Sequence, residues 1–195
     1  MTKIHHDSLD VLDVYAQHLK NLTDADKSTR FGYKISDASI DGFILNVLYH
    51  KRDHHLFTAK VDNVIVGFGH LARDDNGWEL AVSVDVNFQN QGIGGDLVSY
   101  MIEWAKVHGV TSLYMHCIAD NKRIQHLSTK YGLKVILREG QDITAEMKVP
   151  TPTALDYTAE YFREQHNILT QILNLQKELV NKMNPLSVLN HDNIN

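Results

Sequence analysis

The sequence predicts a mixed α/β domain followed by a separate helical tail. Three observations carry that expectation. Apolar runs joined by tight turns at Asp62-Asn63 and Asp74-Asp75-Asn76-Gly77 read as an antiparallel meander. A β-like run from Trp78 to Val86 leads through the glycine-rich segment Gln89 to Asp96 into a helical pattern, and another strand follows. Pro150 and Pro152 close this region ahead of a long stretch with helical periodicity.

Taken in order, Ser8 to Leu22 carries Leu9, Leu12, Tyr15, Ala16 and Leu19 at helical spacing, so an amphipathic helix is expected there. Ser36 can cap a second helix whose apolar face holds Ile40, Phe43, Ile44, Val47 and Leu48. Strands are expected over Leu56 to Val61 and Val64 to Arg73, and a third starts at Trp78. After the glycine segment come a helix to about His108 and a strand from Thr111 to Cys117. A short helix over Asn121 to Tyr131 and two strands around Gly140-Gln141 complete the domain, residues 1–150. In the tail, residues 151–195, Thr153 and Asp156 form a capping-box pattern at the head of a helix reaching Met183. Its heptad positions include Leu155, Phe162, Leu169, Ile172, Leu179 and Met183, an apolar face that wants burial. That face has two candidate occupants: its own domain, or a contact with a second subunit (a homodimer) or another partner. Asn184-Pro185 stops the helix, and Asn190 to Asn195 is expected to fray.

Composition bounds the functional classes. With 195 residues, 43% hydrophobic and 22% charged, the chain is of ordinary globular type and long enough for a sizeable core. A net charge of −5 leaves no basic footprint for nucleic acid as the main partner and mildly favours a cationic substrate. A single cysteine, Cys117, cannot form an internal disulfide, which fits a reducing cytoplasm. The first residues lack the apolar core of a signal peptide, and no stretch approaches the ~20 apolar residues that span a bilayer. No membrane role is expected.

The glycine segment carries the chemistry. Glycines at a strand-to-helix joint let the backbone approach a ligand without a Cβ in the way. The first amides of the following helix have no partner within it and point outward as an anion site. A phosphate-bearing ligand is expected there. A dinucleotide fingerprint would need a third glycine where Leu97 stands and an acidic residue about 20 positions on, where Gly109 to Leu113 offers none. A nucleotide P-loop would need a lysine after the spacer, and Gly95-Asp96 supplies none.

What remains is Q/R-x-x-G-x-G/A, met by Gln89, Gly92 and Gly94. It resembles the pyrophosphate loop of the GNAT acetyltransferase superfamily. Asn121 follows at family-like spacing in Asn-x-x-Ile-x-x-Leu-x-x-x-x-Gly-Leu, with Ile124, Ser128 and Leu133 as departures from the family pattern. Leu22-Thr23-x-x-Asp26-x-x-x-Arg30-Phe31 resembles a segment of bacterial protein-lysine acetyltransferases. The resemblance covers roughly residues 1 to 149. It implies a central, mostly antiparallel sheet splayed into a V and flanked by helices, plus acetyl-CoA as cosubstrate and no metal. It places the cofactor on the loop residues Gln91, Gly92, Ile93, Gly94, Gly95 and Asp96, with Asn121 on the pantetheine arm. Backbone groups near Val84 and Val86 are implied as further contacts, the two valine side chains being plain core.

Acetyl transfer to an amine needs a base, because a free lysine with pKa about 10.4 is almost wholly charged at neutral pH. The family often places a glutamate base near the start of the strand feeding the loop, which makes Glu79 the candidate. A tyrosine acid is frequent seven residues after Asn121, where this chain has Ser128; Tyr131 should point elsewhere, so no general acid is assigned. The expected activity is acetyl transfer from acetyl-CoA to a protein lysine or a small amine by direct attack. The rival is a non-catalytic acyl-CoA-binding module whose tail helix docks a partner. Cys117 reads as a small strand residue, and the His5-His6 and His54-His55 pairs as surface residues without a ligand set.

Overall fold

The computed structural model describes residues 2–7, 9–119 and 121–183. The chain divides into two compact units, Met1–Thr151 and Pro152–Asn195. The strands of the first unit are β1 (Lys3–Asp7), β2 (His54–Val61), β3 (Val64–Asp74), β4 (Gly77–Val84), β5 (Ser112–Ile118), β6 (Lys134–Glu139) and β7 (Asp142–Lys148). They form one seven-stranded sheet in the order β1-β2-β3-β4-β5-β7-β6. Every neighbouring pair is antiparallel except β4 with β5. The expected mixed α/β architecture is the one observed.

Asp62 and Asn63 both take left-handed backbone angles, φ 50° and 65°, as a two-residue hairpin turn between twisted strands requires. At the next turn, Asp74 accepts the backbone N–H groups of Asn76 and Gly77 and so closes β3 onto β4.

Helices cover both faces of the sheet. On one lie α1 (Leu12–Asn21) and α3 (Asp37–Tyr49), packing Leu12, Tyr15, Leu19 and Ile40 against Leu56 and Phe68. Ser36 caps α3 as expected, accepting the N–H of Ser39 at 3.2 Å. On the other face lies α4 (Ile93–Val107), whose Leu97, Met101 and Trp104 meet Phe57, Leu71 and Leu80. That approach depends on Gly69, where a Cβ would stand 2.7 Å from the Met101 sulfur.

Three elements differ from expectation. The first helix starts at Leu12, after a 3₁₀ turn over Leu9–Val11, and Ser8 lies outside the described residues. Lys3–Asp7 is instead an edge strand, paired from Lys3↔Lys60 to Asp7↔Leu56; its polar composition hides it until β2 supplies the hydrogen bonds. An additional helix, α2 (Asp24–Phe31), occupies the segment before α3. Thr23 caps it by accepting the N–H of Asp26 at 3.1 Å, and Gly32 ends it at φ 79°. It buries no residue, so no apolar periodicity announced it. The last helix of this unit, α5 (Lys122–Lys130), lies within the expected span.

The second unit, by itself, is one helix among the described residues, α6 (Ala154–Met183). Its capping box forms: Asp156 accepts the N–H of Thr153 at 2.6 Å, and Thr153 accepts that of Asp156 at 3.4 Å. The expected stop at Asn184-Pro185 and the fraying of Asn190 to Asn195 fall outside the described residues.

Candidate active site

The glycine segment turns the chain from β4 into α4. Gly92 sits at the N-cap with φ 86°, which favours glycine, and no side chain caps the helix. The first helical bond runs from the Asp96 N–H to the Gly92 carbonyl at 3.0 Å. The amides before it therefore have no acceptor within the helix and form an anion-binding end, reinforced by the helix dipole. A Cβ on Gly94 would project between Val84 and Leu127, at 3.9 and 3.8 Å. Gln89 holds the turn from beneath, donating to the Val84 carbonyl at 3.1 Å and to the Asp26 carboxylate at 3.3 Å.

The sheet opens beside this loop. β4 and β5 pair only through Trp78↔Leu113 and Glu79↔Tyr114, while β4 continues along β3 as far as Gly67↔Val84. Beyond Glu79 the two strands part in a V, leaving backbone groups of β4 without a β5 partner. A cavity of about 810 Å³ fills the opening. Its walls include Glu79 and Val84, the glycines 92, 94 and 95, Asn121 at the head of α5, and α2 from Ala25 to Arg30. Lys122 adds positive charge near the loop. These residues fit an extended pyrophosphate-bearing ligand such as coenzyme A: an anion-binding helix end, a glycine cradle and a slot between strands.

A second cavity, about 550 Å³, shares Thr29, Arg30, Glu79, His116 and Ile118 with the first. Phe31, Tyr33 and Phe43 give it aromatic surface, and Glu139 and Asp142 give it negative charge. Glu79 thus stands on the walls of both cavities.

Beside it, Arg30 is held by a buried polar chain. Its guanidinium donates to the Tyr15 hydroxyl and to His70 Nδ1, both at 3.3 Å, and packs over Phe31 and Phe43. Burial disfavours the Arg30 cation, but Tyr15 and Glu79 outweigh it and hold it more firmly protonated than a free arginine. Burial and then the Arg30 charge push His70 well below the usual histidine range, so its ring is neutral. Since arginine can only donate, His70 Nδ1 accepts, and its proton sits on Nε2, which donates to His54 Nδ1 at 3.0 Å.

The structure brings Glu79, Val84, Gly92, Ile93, Gly94, Gly95 and Asn121 to one cavity. Gln91 and Asp96 are exposed and lie off its wall, Gln91 donating instead to the Asn87 carbonyl at 3.3 Å. Val86 also lies off the wall and corrects one expectation: its side chain is 57% exposed in a 3₁₀ turn, not core. Ser128 belongs to α5, its side chain outside the described residues, and Tyr131 donates to the Gly95 carbonyl at 2.7 Å. Cys117 is a buried strand residue whose thiol burial pushes up.

The surface reading of the histidine pairs fails. His54 is 9% exposed, while His6 and His55 pack half-buried against Trp104. Period-two alternation sends neighbours to opposite faces, but here both faces of the sheet are covered. Sequence reasoning also missed His70, His116 and Lys122, which no spacing along the chain signals. It singled out the segment from Leu22 to Phe31 by resemblance, but neither the helix α2 that it forms nor its place in the cavity wall.

Comparison with known proteins agrees with this geometry. The sequence pattern of the Acetyltransferase (GNAT) family matches residues 18–133. Among solved structures, the chain is similar to the GNAT domain of S. lividans PAT, at 14% identity over 75% of this chain and 90% of that one, TM-score 0.63. It is similar to the PaiA N-acetyltransferase from Thermoplasma acidophilum in complex with coenzyme A, at 21% identity over 76% and 99%, TM-score 0.56. It is also similar to the spermidine N-acetyltransferase from Vibrio cholerae in complex with CoA and spermine, at 12% identity over 76% and 95%, TM-score 0.60.

Proposed function

The chain belongs to the acetyltransferase (GNAT) family, and from that premise we propose that it moves an acetyl group from acetyl-CoA to a primary amine, with Glu79 as general base. The observation that carries this reading is the position of Glu79 at the fork of β4 and β5, on the walls of both cavities. Bound acetyl-CoA supplies the thioester. The free amides at the start of α4, with Lys122 nearby, hold its pyrophosphate, and Asn121 meets the pantetheine arm. Backbone groups of β4 beyond Glu79, which have no β5 partner, are available to the carbonyl oxygen as it gains charge.

The acceptor enters through the second cavity. Glu79, Glu139 and Asp142 outnumber Arg30 there, so the chamber favours a cation, which an amine is before it reacts. Glu79 takes the proton that frees the nitrogen lone pair for direct attack. The acceptor is a protein lysine or a small amine, and the protein works in the cytoplasm. Residues 1–150 form the acetyltransferase domain and 151–195 a tail with a separate task. The coenzyme A named for two structures of the same fold supports the choice of cofactor.

Mass spectrometry of a mixed panel of amines and lysine peptides incubated with acetyl-CoA tests the reading. Mass increments of one acetyl group are expected on at least one acceptor. A protein that binds acetyl-CoA yet acetylates nothing in the panel is instead an acyl-CoA-binding module.

A further inference from the structure

On the acetyl-transfer reading above, we propose that His116 is a catalytic residue that carries the second proton of the reaction from the attacking nitrogen to the departing sulfur.

The case rests on placement. His116 lies on β5, directly across the fork from β4, and its exposed ring forms part of both cavities. The ring is held in one orientation. Its cross-strand partner is Thr144, whose Oγ1 lies 3.1 Å from Nδ1, and the edge-on Tyr114 ring sits 5.2 Å away, centroid to centroid. Among the described residues Nε2 has no partner. In the tautomer whose Nδ1–H donates to Thr144, Nε2 keeps its lone pair for a ligand in the cavities that His116 lines.

The neighbouring histidines are unsuited. Both ring nitrogens of His70 are engaged, by Arg30 and His54. His126 lines only the cofactor cavity, on α5. His116 alone among the described histidines touches both spaces.

The chemistry leaves a task for such a group. An ammonium acceptor loses two protons on becoming an amide, and the thiolate gains one. Glu79 takes the first proton before attack and returns it to water. As the C–N bond forms, the nitrogen carries one surplus proton, which Nε2 accepts; the Nδ1–H bond to Thr144 stabilises the resulting imidazolium. As the C–S bond breaks, the electron pair stays on sulfur and the imidazolium donates its proton there. CoA leaves as the thiol and His116 returns to neutral. The position where relatives of the family carry a tyrosine acid holds Ser128 here, and His116 covers that function.

Two measurements on the full-length protein test this. The first follows the His116 ring by NMR, assigned by comparison with His116→Ala, as CoA or desulfo-CoA is added. A shift caused by CoA and much smaller with desulfo-CoA is expected, because the contact is to sulfur; equal responses to both overturn the proposal. The second compares steady-state rates. His116→Ala should lower kcat by roughly 10²-fold with KM for acetyl-CoA unchanged, and imidazole in the buffer should restore part of the rate. His116→Gln, which can still bond Thr144 but cannot shuttle a proton, should be equally slow. Since residue 116 is exposed, both variants should keep the wild-type melting curve. A kcat within twofold of wild type, a fast His116→Gln, or a loss that imidazole does not relieve sinks the proposal and leaves the acetyl-transfer reading standing. A wild type that releases no CoA thiol with any amine sinks both.

Discussion

On the proposed reading Glu79 serves the chemistry and Gly94 the binding of acetyl-CoA, and their substitution should show that division. Glu79→Gln keeps the shape of the side chain and most of its hydrogen bonding but removes its basicity. The rate should fall by roughly 10²–10⁴-fold while affinity for acetyl-CoA barely changes. The deficit should shrink as pH rises, because more acceptor is already uncharged; rate–pH profiles of both proteins decide it, and a wild-type rate at neutral pH removes Glu79 from the mechanism. Gly94→Asp should do the opposite. Its Cβ meets Val84 and Leu127 at ordinary contact distances, so the fold tolerates it, yet it fills the slot and sets a carboxylate beside pyrophosphate. CoA affinity should drop by at least about 2 kcal/mol in calorimetry; an unchanged affinity in the folded variant shows that the loop does not hold CoA.

The two helices that differ most in length carry the clearest consequences at the scale of the element. α2 has only eight residues and buries none, and a helix that short is marginal without packing. It is fastened by the Thr23 cap, by Gln89 to Asp26, and by a Lys27–Asp37 ion pair at 3.1 Å, yet it forms a wall of the cavity beside the glycine loop. Its amides should exchange with deuterium early in the free protein and slow when CoA is added. Exchange that CoA leaves unaltered would separate α2 from the binding site. α6, with 30 residues, has no second helix among the described residues of its own unit to cover Leu155, Phe162, Leu169 and Ile172. We expect removal of residues 151–195 to lower the assembly mass measured by light scattering. CoA affinity should survive, since every described residue lining the cavity precedes that point. A full-length chain that is monomeric at high concentration excludes self-assembly.

For the whole molecule, histidines govern the response to acid. Burial lowers His6, His18 and His55 from 6.5 to about 4, with the His108 charge adding to it at His6 and the His6 and His108 charges at His55; at His18, Asp85 works against burial. The unfolded chain therefore binds more protons than the folded one between pH 6.5 and 4. Stability from these groups is present in full above pH 6.5 and is lost as pH falls towards 4. Tm by scanning calorimetry should drop between pH 7.5 and 5; equal values would contradict the burial of these rings. This property could not be read along the chain, whereas much of the rest could. The strand–glycine–helix joint, the Asp62-Asn63 and Asp74–Gly77 turns, the Ser36 cap and the Thr153–Asp156 box were all legible, because each depends on residues within a few positions of one another. So was the helix start with its unpaired amides, since that needs only a local backbone. The strand Lys3–Asp7, the helix α2, the Arg30–His70–His54 chain and the presence of His116 in both cavities were not legible. The strand, the polar chain and the place of His116 are set by residues 15 to 57 positions apart that only strand register and helix packing bring together, while α2 has a local cap but no buried apolar stripe to announce it. Local bonding wrote most of the elements and the glycine-led helix start into the sequence; tertiary packing decided which side chains share the cleft.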